Sequence, residues 1–282
     1  MKSILRQHNA TVPLASRTEE LVETLIQRID NGESPSEILL ATEILGLAFI
    51  NHSDGFSHSD QELLYQDASR ALRHKAKKTK SNKIKAQCYE TLALLTYLIS
   101  SQIDAQMIRH EMYNIIAANG EVEEEISGHV DQDDDQDEDN DTLMTAVTHA
   151  YGLMFIISFC QGPVNPDIIQ EEMDKMLGEL ELLMDFPGKL QSAAGQTVAL
   201  MFETLQILTD QGEDQEQNEL NELIHTLRTL SMDQDDDEYI FQDILNTVED
   251  GGQPYHEVDI NGKSFILDRW YYTVVCIPKM FR

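Results

Sequence analysis

The region that decides the fold reads Tyr239-Ile-Phe-Gln-Asp-Ile-Leu-Asn-Thr-Val-Glu249 and then Glu257-Val-Asp-Ile-Asn-Gly-Lys-Ser-Phe-Ile-Leu-Asp-Arg-Trp270. In the first stretch apolar residues recur at helical spacing, which predicts a helix over 240–248. In the second stretch apolar and polar residues alternate on both sides of Asn261-Gly262. An Asn-Gly pair there favours a type I′ turn, because both central residues need positive φ. The sequence therefore predicts a helix followed by a small β-hairpin.

Upstream of this hairpin the sequence is helical almost throughout. Apolar residues recur at spacings of three and four, and short breaks rich in Gly, Pro, Asn and Asp separate the periodic stretches. No repeated sequence at a fixed period is visible, but the helix lengths suit stacked helix pairs of the armadillo or HEAT kind. The predicted fold is all-α, a curved α-solenoid with a small C-terminal β-hairpin element. A helical bundle is the alternative.

Four helix starts have local capping signals, one of which is Ser59-Asp-Gln-Glu62 at the start of the helix predicted over 60–75. Ser16-Arg-Thr-Glu19 and Ser34-Pro-Ser-Glu37 each fit a capping box, and Pro35 suits the first helical position. Asn165 followed by Pro166 predicts a further start. The helix after Ser34 has a broad apolar face, so we expect it to be buried on two sides.

Breaks in the helical pattern divide the chain into five parts. Residues 1–15 are predicted to be a flexible tail, and 16–120 the N-terminal helical repeats. Residues 121–141 form an acidic insert that lacks the apolar residues needed for a core, and we expect it to be disordered. A second repeat block covers 142–232. The remainder, 233–282, contains an acidic linker, the last helix and the β element.

The composition restricts where the chain acts and what it binds. The 282 residues have a formal net charge of −31, so the chain as a whole repels nucleic acid and anionic lipid. No apolar run approaches the length of a membrane span, and no secretory signal is present, so we expect a cytoplasmic or nuclear protein. Cys88, Cys160 and Cys276 are isolated and lie among apolar residues, which predicts reduced packing residues.

Three segments, taken in order, resemble the interferon-related developmental regulator family. The first is Leu45-Gly-Leu-Ala-Phe-Ile-Asn-His-Ser-Asp-Gly55, continuing to the helix Ala86-Gln-Cys-Tyr-Glu-Thr-Leu-Ala-Leu-Leu95. The second is Ser192-Ala-Ala-Gly-Gln-Thr-Val-Ala-Leu-Met-Phe-Glu203, similar to the family's Ala-Ala-Gly helix. The third is the helix ending at Glu249 with the element that reaches Trp270. One departure is Met232-Asp-Gln-Asp-Asp-Asp-Glu238, which is acidic where family members are rich in Lys, Arg and Gln.

The resemblance implies a non-enzymatic helical-repeat interaction protein. Such a protein acts either in translational silencing by ribosome binding or in transcriptional co-regulation through protein complexes. An alternative, based on the negative charge, is an acidic scaffold or chaperone for basic proteins such as histones or ribosomal proteins. We expect no cofactor and no membrane partner, and nucleic acid only through a local basic patch.

One window of the acidic chain is strongly basic. It has no acidic residue between Asp67 and Glu90, and the spacing predicts that its centre is a loop after a helix over 60–75. Two interpretations stay open: a loop that is solvated or paired with the chain's own acidic insert, or a contact to the phosphate backbone of RNA. The candidate contact residues are Arg70, Arg73, Lys75, Lys77, Lys78, Lys80, Lys83 and Lys85.

The aromatic residues of the C-terminal element form a second candidate set. Trp270 is the only tryptophan, and Phe265 and Tyr271 lie close to it in sequence. We expect these residues to pack the β element against the last helices. The alternative is a contact with a partner protein.

No sequence motif indicates an enzyme or a metal site. The chain lacks a phosphate-binding loop, a nucleophile elbow, a dinucleotide fingerprint and a His-Glu-x-x-His pair. The acidic run that begins at Asp131 has Gln136 and Thr142 where a calcium loop needs Gly and Glu. His52 and His58 flank a polar loop, but their spacing matches no standard zinc pattern.

Overall fold

The computed structural model describes residues 17–52, 58–99, 101–125, 134–159, 165–209, 217–232, 238–260 and 263–270. Within these ranges the chain forms ten helices and one two-stranded sheet. The elements are α1 Thr18–Asn31, α2 Pro35–His52, α3 His58–Lys78, α4 Asn82–Ile99, α5 Gln102–Glu125, α6 Asp134–Phe159, α7 Pro166–Met184, α8 Lys189–Thr209, α9 Gln217–Leu230, α10 Glu238–Asp250, β1 His256–Ile260 and β2 Lys263–Leu267.

The helices stack as five consecutive pairs. Each odd-numbered helix packs against the even-numbered helix that follows it, from α1 with α2 to α9 with α10. The even-numbered helices also pack on one another in order, so α2, α4, α6, α8 and α10 form a continuous inner row. Among the odd-numbered helices, α1 packs on α3 and α5 packs on α7. The predicted all-α helical-repeat fold with a small C-terminal hairpin is confirmed.

Two crossings in the inner row repeat the same contact. A Cβ on Gly46 of α2 would lie 3.3 Å from Leu94 and 3.5 Å from Thr91 of α4. A Cβ on Gly152 of α6 would meet the corresponding residues of α8, a leucine at 3.1 Å and a threonine at 3.3 Å. Each residue of the first crossing lies the same number of positions before the corresponding residue of the second crossing. The sequence pattern alone does not reveal this repeat. The counterpart pairs are Gly46 and Gly152, Thr91 and Thr197, and Leu94 and Leu200.

The last crossing of the inner row also depends on small residues. Ala193 and Ala194 are fully buried. A Cβ on Gly195 would come within 2.8 Å of Ile244 Cδ1 and 2.9 Å of Phe241 Cε1, both on α10. The small residues of this face of α8 thus permit the close approach of α10.

Two of the four predicted caps are confirmed, and the cap predicted at Ser59 is wrong because α3 already begins at His58. The Glu37 amide donates to Ser34 Oγ at 3.2 Å, while the Glu37 carboxylate accepts from the Glu33 amide at 3.2 Å. Asn165 caps α7 by accepting from the Asp167 amide at 3.1 Å. The cap predicted at Ser16 lies outside the described residues; α1 begins at Thr18, and Arg17 at its cap position makes no side-chain capping bond.

Two predicted breaks are shorter in the structure. The prediction of a basic loop after residue 75 is wrong, because α3 continues to Lys78 and α4 begins at Asn82. Lysine and alanine are good helix formers, so this run lengthens the helix rather than ending it.

The acidic break between helices is also shorter than predicted, because α5 continues to Glu125 and α6 begins at Asp134. Glutamate is a good helix former, and aspartates near a helix start are favoured by the helix dipole. Residues 126–133 lie outside the described residues.

A buried arginine joins three of the central helices. The Arg109 guanidinium of α5 lies 4.6 Å from the Phe159 ring centroid and 5.8 Å from that of Phe155, both on α6. Its Nη2 is 3.3 Å from a carboxylate oxygen of Glu172 on α7. The charge is thus compensated by an ion pair and by aromatic faces, as a buried cation requires.

The predicted hairpin is confirmed. The two strands pair antiparallel, with Val258 opposite Phe265 and Ile260 opposite Lys263. Only Asn261 and Gly262 separate the last paired residues, and this Asn-Gly pair lies outside the described residues.

Helix α6 contains a long apolar stretch. Its part Asn140–Phe159 is long and apolar enough to cross a membrane, so the prediction of no run of that length is wrong here. Of that window, 78% is buried inside the protein, because α6 packs against α4, α5 and α8. This burial is that of a core helix in a helical stack.

Candidate functional site

The basic window occupies the end of α3, the tight turn after it and the start of α4. The Ser81 amide donates to Thr79 Oγ1 at 3.2 Å, and Ser81 Oγ accepts from the Ile84 amide at 3.4 Å. These bonds hold the two helix ends close together. The turn therefore brings the predicted basic residues to one end of the α3–α4 pair.

Two of these cations converge on one carboxylate of α5. Arg73 donates through Nε and Nη2 to Glu111 Oε2, at 3.1 and 2.8 Å. Lys77 Nζ lies 3.3 Å from Glu111 Oε1, and the Tyr89 hydroxyl donates to the same oxygen at 3.4 Å. The Glu111 side chain is only 15% exposed, so Arg73 and Lys77 are held by the protein's own charge.

Two further cations also have partners within the chain. Arg70 Nη1 lies 3.0 Å from a carboxylate oxygen of Asp67. Lys75 Nζ donates to the Asp30 carbonyl at the end of α1, at 3.2 Å. The predicted eight-residue patch is therefore divided, since four of its members contact other groups of the chain: Arg70, Arg73, Lys75 and Lys77.

The remaining lysines lie around the turn itself. Lys78, Lys80 and Lys83 are exposed, and Lys85 is half-buried. Among the described residues, Lys78, Lys80 and Lys85 have no ion-pair partner. We call Lys78, Lys80, Lys83 and Lys85 the lysine turn. It is a locally positive end of a chain whose net charge is −31.

A groove runs between α3 and α5 beside the lysine turn. Its larger part encloses about 650 Å³ and is lined by residues of α3, α4 and α5, among them Lys77, Tyr89 and Met107. A second part of about 400 Å³ continues along α3 past Gln66 and Arg70. Arg73 and Lys77 border both parts.

The C-terminal aromatic set is resolved in part. Trp270 is fully buried, and its Nε1 donates to Thr247 Oγ1 of α10 at 2.8 Å. Arg269 beside it lies 3.9 Å from the buried Glu203 carboxylate of α8. This burial agrees with the packing interpretation of Trp270, and the alternative of a partner contact stays a prediction. Tyr271 and the Phe265 side chain lie outside the described residues.

Cys88 has a packing environment. It is 1% exposed, and burial raises the pKa of its thiol to about 12 despite the nearby Lys75 ammonium. A thiol with so high a pKa is protonated at neutral pH and is a poor nucleophile. The packing role predicted for Cys88 is confirmed. Cys160, Cys276 and the side chains of His52 and His58 lie outside the described residues.

The described part of the chain contains no group of three or more His, Cys, Asp or Glu residues arranged to hold a metal ion. The residue that sequence reasoning missed is Glu111, which organises Arg73, Lys77 and Tyr89. It lies 38 residues after Arg73, and no local pattern indicates that the two meet.

The paired helices and the continuous inner row define an all-α helical-repeat protein. The model of the interferon-related developmental regulator family matches residues 1–249. The chain therefore belongs to the interferon-related developmental regulator family. The matched range ends in α10, so the family likeness of the hairpin and Trp270 stays a prediction. No curated protein matches the chain.

Proposed function

We propose that this chain is a non-catalytic interaction protein that acts in translational silencing by binding ribosomes in the cytoplasm. The observation that carries the proposal is the lysine turn, a cluster of exposed cations in a chain of net charge −31. Family membership supports a regulator built from helical repeats. Such repeats offer a long contact surface to a large partner.

The lysine turn suits contact with ribosomal RNA for two reasons. Lys78 and Lys80 are exposed and have no ion-pair partner among the described residues. Binding a phosphate therefore does not require either lysine to break an ion pair with a described residue. Lysine binds phosphate as a point charge and positions the protein without reading sequence. Since the remaining surface is acidic, RNA contact is confined to this end of the α3–α4 pair.

A second candidate function is an acidic scaffold for basic proteins such as histones or ribosomal proteins. It is favoured by the excess of 51 acidic over 20 basic residues, because Arg70, Arg73 and Lys77 pair with only a few of the carboxylates and a net charge of −31 remains. Family likeness also implies transcriptional co-regulation through nuclear protein complexes. These alternatives differ from ribosome binding in the identity of the partner.

Affinity capture from cells followed by mass spectrometry, with and without nuclease, tests the proposal. Ribosomal subunits captured together with their RNA, and reduced after nuclease treatment, are the expected result. Histones or free ribosomal proteins that persist after nuclease treatment would replace the proposal with the scaffold function. Transcriptional complexes in the capture would replace it with co-regulation.

A further inference from the structure

The exposed apolar residues are unevenly distributed over the described part of the chain. Ten large apolar side chains are exposed there, and four of them lie near the starts of three odd-numbered, outer helices. Single exposed apolar residues are common on protein surfaces, whereas a group of them marks a contact site. We call these four residues the apolar patch: Leu63 of α3, Ile103 and Met107 of α5, and Ile168 of α7.

Helices α3 and α5 run parallel, so their members of the apolar patch lie at the same level. Near the starts of the two helices, Tyr65 and Asp104 line one cavity. About two turns further along both helices, Arg73 Nη2 lies 2.8 Å from Glu111 Oε2. The α3 and α5 members of the patch precede Tyr65 and Asp104 by one or two residues or follow them closely, which corresponds to a few ångström along the helix axes.

Helices α5 and α7 are also parallel, and they pack on each other directly. Gln102 Nε2, at the start of α5, donates at 2.8 Å to the Ser158 carbonyl at the end of α6. Since α7 begins only a few residues after α6 ends, the starts of α5 and α7 are close together. Further along, Arg109 Nη2 lies 3.3 Å from a carboxylate oxygen of Glu172. The α5 and α7 members of the apolar patch are therefore neighbours.

The two repeats of the inner-row crossing each contribute to the apolar patch. Helix α3 lies in sequence between α2 and α4 of the first crossing, and α7 lies between α6 and α8 of the second. In α3 the exposed Leu63 precedes the buried Leu64, and in α7 the exposed Ile168 precedes the buried Ile169. Both repeats thus present an aliphatic residue to solvent near the start of their outer helix.

The surface around the apolar patch is acidic. Residues 61–70, 102–109 and 166–175 contain seven acidic and three basic side chains. The three bases are already paired within the same ranges: Arg70 with Asp67, Arg109 with Glu172, and Lys175 with Glu171.

Four carboxylates of this surface remain without an ion-pair partner among the described residues. They belong to Glu62, Asp104, Asp167 and Asp174. Asp104 accepts a hydrogen bond from Ser101 Oγ, and Asp174 accepts one from Gln170 Nε2, both at 2.7 Å. Neither donor carries a charge, so the surface stays negative after its own ion pairs have formed.

We propose that the apolar patch and the carboxylates around it form a docking site for a basic amphipathic segment of a partner protein. Apolar side chains of that segment would cover the patch, and its lysines or arginines would approach the four uncompensated carboxylates. Nucleic acid and anionic lipid are repelled by the same carboxylates. A second copy of the chain is disfavoured, because each copy has a net charge of −31. The site does not include the lysine turn, so the proposal does not depend on ribosome binding.

Removing apolar residues without changing the charge separates docking at the patch from general attraction to an acidic chain. The test variant is Ile103→Gln/Ile168→Gln. The matched control is Leu182→Gln/Ile207→Gln, which replaces two other exposed apolar residues, on α7 and α8. Glutamine is at least as good a helix former as the residues it replaces on α5 and near the start of α7, and all four positions are exposed, so both variants should fold.

The probe is a fluorescein-labelled peptide of about 20 residues with Lys on its polar helical face and Leu on its apolar face. Fluorescence anisotropy on the full chain gives its dissociation constant. We expect the test variant to bind this peptide about tenfold more weakly than the native chain, because two apolar contacts are lost. The control variant should bind it like the native chain.

Two further peptides define what the site recognises. A scrambled peptide of the same composition has no apolar face, so it should bind more weakly and equally to all three proteins. A peptide with Glu in place of Lys should not bind. Binding of the scrambled peptide as tight as that of the amphipathic one, or binding of the Glu peptide, would overturn the proposal.

Two results with the variants would also overturn it: equal affinities of the native chain and the test variant, or an equal loss of affinity in the control. Sedimentation velocity examines the second copy as an occupant. A dimer of the native chain that is absent from the test variant would replace the proposed partner with a second copy of this chain.

Discussion

Trp270 Nε1 donates a 2.8 Å hydrogen bond to Oγ1 of Thr247, and both residues are fully buried. This bond joins the end of the β element to α10. Thr247 Oγ1 also lies within hydrogen-bond distance of the carbonyls of Asp243 and Gly252, at 3.0 and 2.8 Å. One hydroxyl thus connects the last helix, the turn after it and the indole that follows the hairpin.

Replacing this hydroxyl should destabilise the C-terminal region. Thr247→Val keeps the shape of the side chain but leaves the indole N–H buried without an acceptor, which costs about 1–3 kcal/mol. Thr247→Ser keeps the hydroxyl and should lose less. Urea unfolding followed by tryptophan fluorescence measures both free energies of unfolding. Equal stability of the two variants would show that the bond contributes nothing.

Two glycines in helices should respond to alanine in opposite directions. Gly195→Ala would place a methyl group 2.8 Å from Ile244, and overpacking of this kind costs about 1–3 kcal/mol. Gly178→Ala meets nothing within 4 Å, so the better helix propensity of alanine should stabilise the protein by about 0.5–1 kcal/mol. Thermal unfolding measures both changes. A stabilised Gly195→Ala variant would mean that α8 and α10 are not in close contact.

Stability should fall at high pH because of buried neutral acids. Burial raises the pKa of the Tyr65 hydroxyl from 10.0 to about 12, and of the Cys88 thiol from 9.0 to about 12. Groups whose pKa is higher in the folded state contribute stability below their unfolded pKa and lose it as pH rises towards the folded value. We therefore expect the free energy of unfolding to decrease between pH 9 and pH 12.

Urea unfolding at a series of alkaline pH values measures this decrease. Cys88→Ser, which replaces the thiol with a hydroxyl that does not ionise in this range, should show a smaller decrease than the native chain. A native protein whose stability is constant from pH 9 to pH 12 would contradict the burial of these groups.

Local signals in the sequence predicted local structure well. The caps at Ser34 and Asn165 depend on residues two or three positions apart, so sequence spacing specifies them. The Asn-Gly pair specified the register of the hairpin for a similar reason. The end of α3 lies beyond its predicted position because lysine is a good helix former. A run of exposed lysines can therefore continue a helix without packing against another helix.

Contacts between distant parts of the chain could not be predicted. Arg73 contacts Glu111 because α3 and α5 both pack against α4. The sequence pattern of neither helix indicates that these two residues meet. The sequence does not show the repeated glycine crossing of the inner row, because α2 and α6 have identical residues at only a few corresponding positions. The division of the basic window into paired residues and the lysine turn depends on these tertiary contacts.

The salt dependence of binding to purified ribosomal subunits tests the central claim most directly. The variant is Lys78→Gln/Lys80→Gln in the lysine turn, and the matched control is Lys175→Gln/Lys189→Gln, which removes two exposed lysines of α7 and α8. Each lost phosphate contact lowers the slope of log K against log salt by about 0.7 to 0.9. We predict a slope that is flatter by about 1.5 and weaker binding for the first variant, with the control like the native chain. Identical slopes for all three proteins, or no binding to subunits at all, would contradict the account.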